Sequence, residues 1–248
     1  NPSDVGDDIA LSIQRNTGDY EGLNVTFEID SADWKRYDLT YAFTGAGAGD
    51  QLGVSFKILR SDTTIDDIYV YGVQLEEGSY PTSYIPTYSV SATRAQDVCG
   101  NAGDAGTFND SEGVLFVEMS ALANDNENRI LSISDGTTST RVLIQYYTSS
   151  NTIRGFIQGG GVSATLSYAS SDITANTKIA FKYKSGDHAL WVNGTERNTA
   201  STAITVSGLD DFSFDNGAGA ASMYANVKQL AVFNEALSDS ELATLTTI

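Results

Sequence analysis

The 248-residue chain holds one cysteine, one histidine and three prolines, and only 14 lysines and arginines against 32 aspartates and glutamates. Each shortage excludes something. A lone Cys99 closes no internal disulfide and supplies no cysteine-based zinc site, and a lone His188 rules out chemistry that needs two imidazoles. The formal charge of −18 repels phosphate, so neither nucleic acid nor an anionic lipid surface is an expected partner. No apolar run approaches the roughly 20 residues of a membrane-crossing helix, and membrane insertion is not expected. The chain starts on Asn1 and not on methionine, which reads as a fragment or a processed product.

The acidity is spread evenly: residues 1–97 carry a net −10 and residues 98–248 a net −8. An acidic exterior of this kind suits an extracellular component. It argues against an anionic polysaccharide as ligand unless Ca²⁺ bridges the two.

What is present is period-two alternation of apolar and polar residues, the pattern of half-buried strands. Ile9, Leu11 and Ile13 show it, as do Val25, Phe27 and Ile29, then Leu39, Tyr41 and Phe43, then Leu52, Val54, Phe56 and Ile58. Residues 68–75 are apolar on both parities at first, as expected of a strand covered on both faces. Pro81 and Pro86 then make residues 80–87 an extended connector. Further strands are expected at residues 114–119, 129–134, 141–147, 153–157, 164–168, 178–183, 189–192, 212–214 and 227–233, with Asn193-Gly194 forming a hairpin turn. One helix is expected, near residues 239–246, because Ser238 and Glu241 have the spacing of a capping box and Leu242 and Leu245 follow on one face.

These elements imply an all-β protein of two antiparallel β-sandwiches of jelly-roll type with a short C-terminal helix. The expected division is residues 1–90, a linker over 91–110, and residues 111–248.

Candidate sites follow from residue chemistry. Flat aromatic rings suit sugar C–H faces, and the rings singled out are Tyr146, Tyr147, Tyr168 and Trp191, with Trp34 and Tyr37 upstream. Tyr146 and Tyr147 point to opposite faces of a regular strand, so one of them is exposed. The loop Asn124-Asp125-Asn126-Glu127-Asn128 is rich in hard oxygen donors, and Asp125 and Glu127 are the candidate ligands for Ca²⁺. Asp62, Asp66 and Asp67, or Asp210, Asp211 and Asp215, are further candidates. His188 is expected at the surface, at a turn-to-strand junction. The string Glu28-Ile29-Asp30-Ser31-Ala32-Asp33 resembles the Glu-x-Asp-x-x-Glu motif of laminarinase-type hydrolases. Its third acid is one methylene short, so it reads as a solvated strand end and no catalytic site is assigned.

Two longer motifs carry family resemblances. Residues 67–87, with Asp67-Ile68-Tyr69-Val70-Tyr71-Gly72-Val73-Gln74-Leu75 leading into Tyr80-Pro81-Thr82-Ser83-Tyr84-Ile85-Pro86-Thr87, resemble the last strand and exit linker of carbohydrate-binding-module-like jelly rolls of phage virion proteins and bacterial surface proteins. Trp34-Lys35-Arg36-Tyr37-Asp38-Leu39-Thr40 is similar to an earlier strand of the same modules. Glu112-Gly113-Val114-Leu115-Phe116-Val117-Glu118, Ala189-Leu190-Trp191-Val192-Asn193-Gly194 and residues 227–242 resemble the concanavalin A-like lectin/glucanase (LamG-like) domain of phage tail and head fibres. The resemblance implies a non-catalytic protein of the virion surface that binds a host cell-surface glycan. The alternatives are a structural decoration or assembly module in contact with other virion proteins, and a polysaccharide depolymerase. Only about half a jelly roll precedes the first motif, so neighbouring chains are expected to complete it in a homo-oligomer, a trimer if the protein is a fibre.

Overall fold

The computed structural model describes residues 8–17, 19–28, 33–44, 51–59, 69–88, 90–93, 98–100 and 102–248. The chain divides into two compact units, Asn1–Arg94 and Ala95–Ile248. Both are built from antiparallel strands, and the protein is all-β apart from one C-terminal helix.

In the first unit, β1 (Asp8–Thr17), β2 (Asp19–Glu28) and β3 (Gln51–Leu59) form a sheet in the order β2-β1-β3. Leu11 lies opposite Val25 and Phe56, and Ile13 opposite Leu23 and Val54, so the alternating apolar residues collect on one face. The strands expected at residues 39–43 and 68–75 are corrected. Residues 33–44 and 69–77 run outside any sheet, and Ile68 lies outside the described residues. Side chains of these segments instead bond the backbone of the connector at Thr82 and Ile85. Gln74 Oε1 accepts from the Ile85 amide at 2.8 Å, Glu76 Oε1 accepts from the Thr82 amide at 2.6 Å, and Arg36 Nη2 donates to the Thr82 carbonyl at 2.8 Å.

Among its described residues the second unit has ten strands: β4 (Glu112–Ala121), β5 (Arg129–Ser134), β6 (Arg141–Tyr146), β7 (Thr152–Gly159), β8 (Val162–Ala169), β9 (Thr177–Lys184), β10 (His188–Val192), β11 (Thr195–Ala200), β12 (Asp211–Ser213) and β13 (Ala225–Phe233). They form two five-stranded sheets, β11-β10-β9-β4-β13 and β12-β5-β6-β7-β8. Leu115, Val117 and Phe181 from the first sheet meet Leu131, Ile133, Ile144 and Ile153 from the second in one core. The sheets approach closely at Gly155, where a Cβ would collide with the Phe181 ring.

Asn193 and Gly194, at φ 50° and 75°, make the tight turn between β10 and β11, the left-handed geometry that this pair tolerates. Within the stretch 91–110, Ala102 forms a β-bridge with Phe212, Phe108 enters the core, and Asp110 accepts from the Gly208 and Leu209 amides at 2.8 and 3.0 Å. Helix α1 (Asp239–Thr246) starts at the expected capping box. The Ser238 amide donates to Glu241 Oε2 at 2.8 Å and the Glu241 amide donates back to Ser238 Oγ. Its Leu242 packs with Val114, Phe116, Ala180, Ala189 and Trp191, which covers the outer face of the first sheet of this unit.

Candidate functional site

The aromatic candidates separate by face. Val142, Ile144 and Tyr146 point into the core, so Tyr146 is fully buried and its hydroxyl pKa is pushed up by desolvation. Trp191 is buried beneath α1. The expectation of a sugar platform is corrected for both, since neither ring has a face open to a ligand. Tyr147 is the half-buried member of its pair. It points outward with the Arg154 guanidinium 3.9 Å above its ring. Tyr168 is half-buried at the sandwich edge, with Arg197 4.6 Å from its ring centre.

The cation candidates also resolve. Both carboxylate oxygens of Asp125 accept from Arg129 Nη2 at 2.6 Å, and Arg129 is almost wholly buried. A buried guanidinium needs that counter-charge, which replaces the expected Ca²⁺ role of Asp125. Glu127 is exposed on the turn, and no group of three or more His, Cys, Asp or Glu able to hold a metal occurs among the described residues. Asp211 accepts from Ser213 Oγ at 2.6 Å and Asp215 from the Gly217 amide at 2.7 Å, while Asp62, Asp66 and Asp67 lie outside the described residues. So do residues 29–32 of the acidic string and the side chain of Glu28.

His188 is buried and not at the surface, because the β9–β10 hairpin folds it under Thr202. Its Nδ1 accepts from the Lys184 amide at 3.4 Å and its Nε2 meets the Thr202 carbonyl at 3.0 Å. A cleft of 560 Å³ beside α1 is lined by Lys182, Lys184, Asp187, Glu196, Asp239 and Glu241. Its lysines are already ion-paired, Lys182 with Asp187 at 3.0 Å and Lys184 with Glu112 at 2.7 Å.

The outward face of the sheet β12-β5-β6-β7-β8 is different. The register pairs Arg141 with Gln158, Leu143 with Phe156 and Gln145 with Arg154, and continues to Thr165 opposite Phe156 on β8. Since Val142, Ile144, Ile153 and Ile157 face the core, alternation puts these residues on the opposite face, where Thr165 is exposed, Arg141, Arg154, Phe156 and Gln158 are half-buried, and Leu143 and Gln145 are buried. Each arginine lies over an aromatic ring, Arg154 on Tyr147 and Arg141 on Phe156 at 5.4 Å. Arg154 Nη2 donates to Thr165 Oγ1 at 3.3 Å and Arg141 Nη1 to the Asn216 carbonyl at 2.9 Å. Neither makes an ion pair with a carboxylate among the described residues. Partial burial lowers the Arg141 pKa, as expected of a cation without a counter-charge. Stacking holds a planar guanidinium flat, and because the Nε atoms of both arginines are buried, only their terminal nitrogens are left to bond a ligand.

No single residue type flagged this face in the sequence. The signal that could have found it is the hairpin across Ser149-Ser150-Asn151, whose length sets Arg154 beside Gln145.

No family model and no curated protein matches the sequence. Solved structures do match. The CBM40 of the Ruminococcus gnavus IT-sialidase, a carbohydrate-binding module, aligns over 62% of this chain and 98% of its own, at 15% identity and a TM-score of 0.50. The first unit is under two-fifths of the chain, so this match runs through the second. The second unit shares the fold of a carbohydrate-binding module. A SAP-like pentraxin from Limulus polyphemus aligns over 58% of this chain and 73% of its own, at 14% identity and a TM-score of 0.48.

Proposed function

We propose that the protein is a non-catalytic glycan-binding component of a bacteriophage virion surface, a tail or head fibre, and that its ligand is a host cell-surface glycan bearing a carboxylate. One observation carries the ligand reading. In a chain of net charge −18, two guanidiniums stacked on Tyr147 and Phe156 share one sheet face without a carboxylate partner among the described residues. A guanidinium fork matches a carboxylate in two parallel hydrogen bonds, and a charge-assisted bond contributes about 1.5–3 kcal/mol. Gln158 and Thr165 lie beside them and suit sugar hydroxyls, while Gln145 is buried. The expectation that an acidic protein needs Ca²⁺ to hold an anionic sugar gives way to this local positive charge. The shared fold with a carbohydrate-binding module supports the glycan reading. The virion placement rests on the resemblance of residues 67–87 and 227–242 to phage fibre modules.

Titration calorimetry against acidic oligosaccharides and their carboxyl-reduced counterparts tests this. The acidic forms should bind, reduction to the alcohol should cost tenfold or more, and Arg154→Ala should cost a similar factor with the melting profile retained. A chelator should change nothing. Equal affinity for acidic and reduced sugars would refute the ligand class.

A further inference from the structure

We propose that the first unit is completed by another copy of this chain, with residues 69–75 of one copy joining the three-stranded sheet of the other. Two features of the unit lack their counterparts. The sheet has apolar residues left open to solvent, with Leu52, Val54 and Phe56 of β3 exposed by 51, 37 and 45%. Its outer strands β2 and β3 each pair on one side only among the described residues, which leaves two long backbone edges. Residues 69–75 have the opposite defect. They are apolar on both parities, yet Tyr69, Tyr71 and Val73 are exposed by 80, 76 and 56%, and the segment belongs to no sheet.

A sheet that lacks a strand and an apolar segment that lacks a sheet are complementary, and one chain carries both, so the occupant is a second copy of that chain. Pairing by strand addition satisfies backbone donors and covers side chains in one step. Within its own chain the segment is tied elsewhere, by Gln74 to Ile85 and by Glu76 to Thr82, and Gly72, at φ 69°, bends it, so it straightens at that residue to pair. The area is sufficient. With about 200 Å² for a large side chain, the six exposed residues present on the order of 700 Å², close to the ~800 Å² that each partner gives to a stable interface. This surface is independent of the arginine face and of its ligand.

Sedimentation velocity of the full chain from low to high micromolar concentration tests the proposal, with hydrogen exchange read at residues 69–75. The chain should associate, and those amides should be protected in the oligomer and exchange freely on dilution. Phe56→Asp and Tyr71→Asp should each raise the dissociation constant tenfold or more, while exchange protection of β4–β13 stays unchanged and shows that the second unit remains folded. A chain that stays monomeric throughout overturns the proposal. So does protection of residues 69–75 in the monomer, or association that survives both substitutions.

Discussion

His188 is neutral in the folded protein because burial opposes its charge and because its Nδ1 faces the Lys184 amide, a donor that a second ring proton would confront. Its pKa is therefore depressed, with desolvation the largest cause. In the unfolded chain the ring takes a proton near pH 6.5, whereas the folded chain resists it to lower pH. Stability is complete above the unfolded value and is lost as pH falls through the folded one. Urea midpoints should decline as pH drops from about 6.5 towards 5.5, above the carboxylate range. His188→Gln should flatten that slope, whatever its effect at neutral pH. A similar logic of burial separates Tyr146 from Tyr147. Period two places them on opposite faces, but Val142, Leu143 and Ile144 are apolar on both parities, so the sequence around them leaves open which tyrosine is inside.

At the level of the element, local chemistry was legible where it closes on itself. The Ser238 and Glu241 side chains satisfy amides at the start of α1 within a few residues, and no distant partner decides that helix. Ser238→Ala should cost about 1 kcal/mol. That lowers the melting temperature of the second unit by about 2–4 °C, readable by calorimetry. The strands of the second unit other than β11 were legible as alternating or continuous apolar runs, and each finds a partner in a sheet; β11, Thr195–Ala200, carries no apolar pattern and was not expected. Residues 39–43 alternate and residues 69–71 are apolar on both parities, yet neither stretch pairs with a strand among the described residues. An apolar pattern records which side chains favour burial, while a strand also needs a neighbouring backbone.

At the scale of the whole molecule, net charge and local charge act at different ranges. The −18 field extends about a Debye length, roughly 10 Å at 0.1 M salt, whereas contact with Arg141 and Arg154 acts at hydrogen-bond distance. An anionic glycan should therefore bind faster as ionic strength rises from low to physiological, because the repulsion is screened first, with a smaller change in dissociation rate. Stopped-flow measurements over that range check it, and an association rate that falls instead would show that the local field of the arginines, and not the net charge, governs encounter. The sequence by itself determined the all-β class, the strands of the second unit other than β11, the Asn193-Gly194 turn and the C-terminal helix, because each depends on propensity, periodicity or contacts within a few residues. Only the tertiary structure decided which tyrosine is buried, that Asp125 belongs to Arg129, and that Arg141 and Arg154 share a face. Those outcomes depend on strand register and on which side of each sheet meets the core, and both are fixed by pairing between residues far apart in the chain.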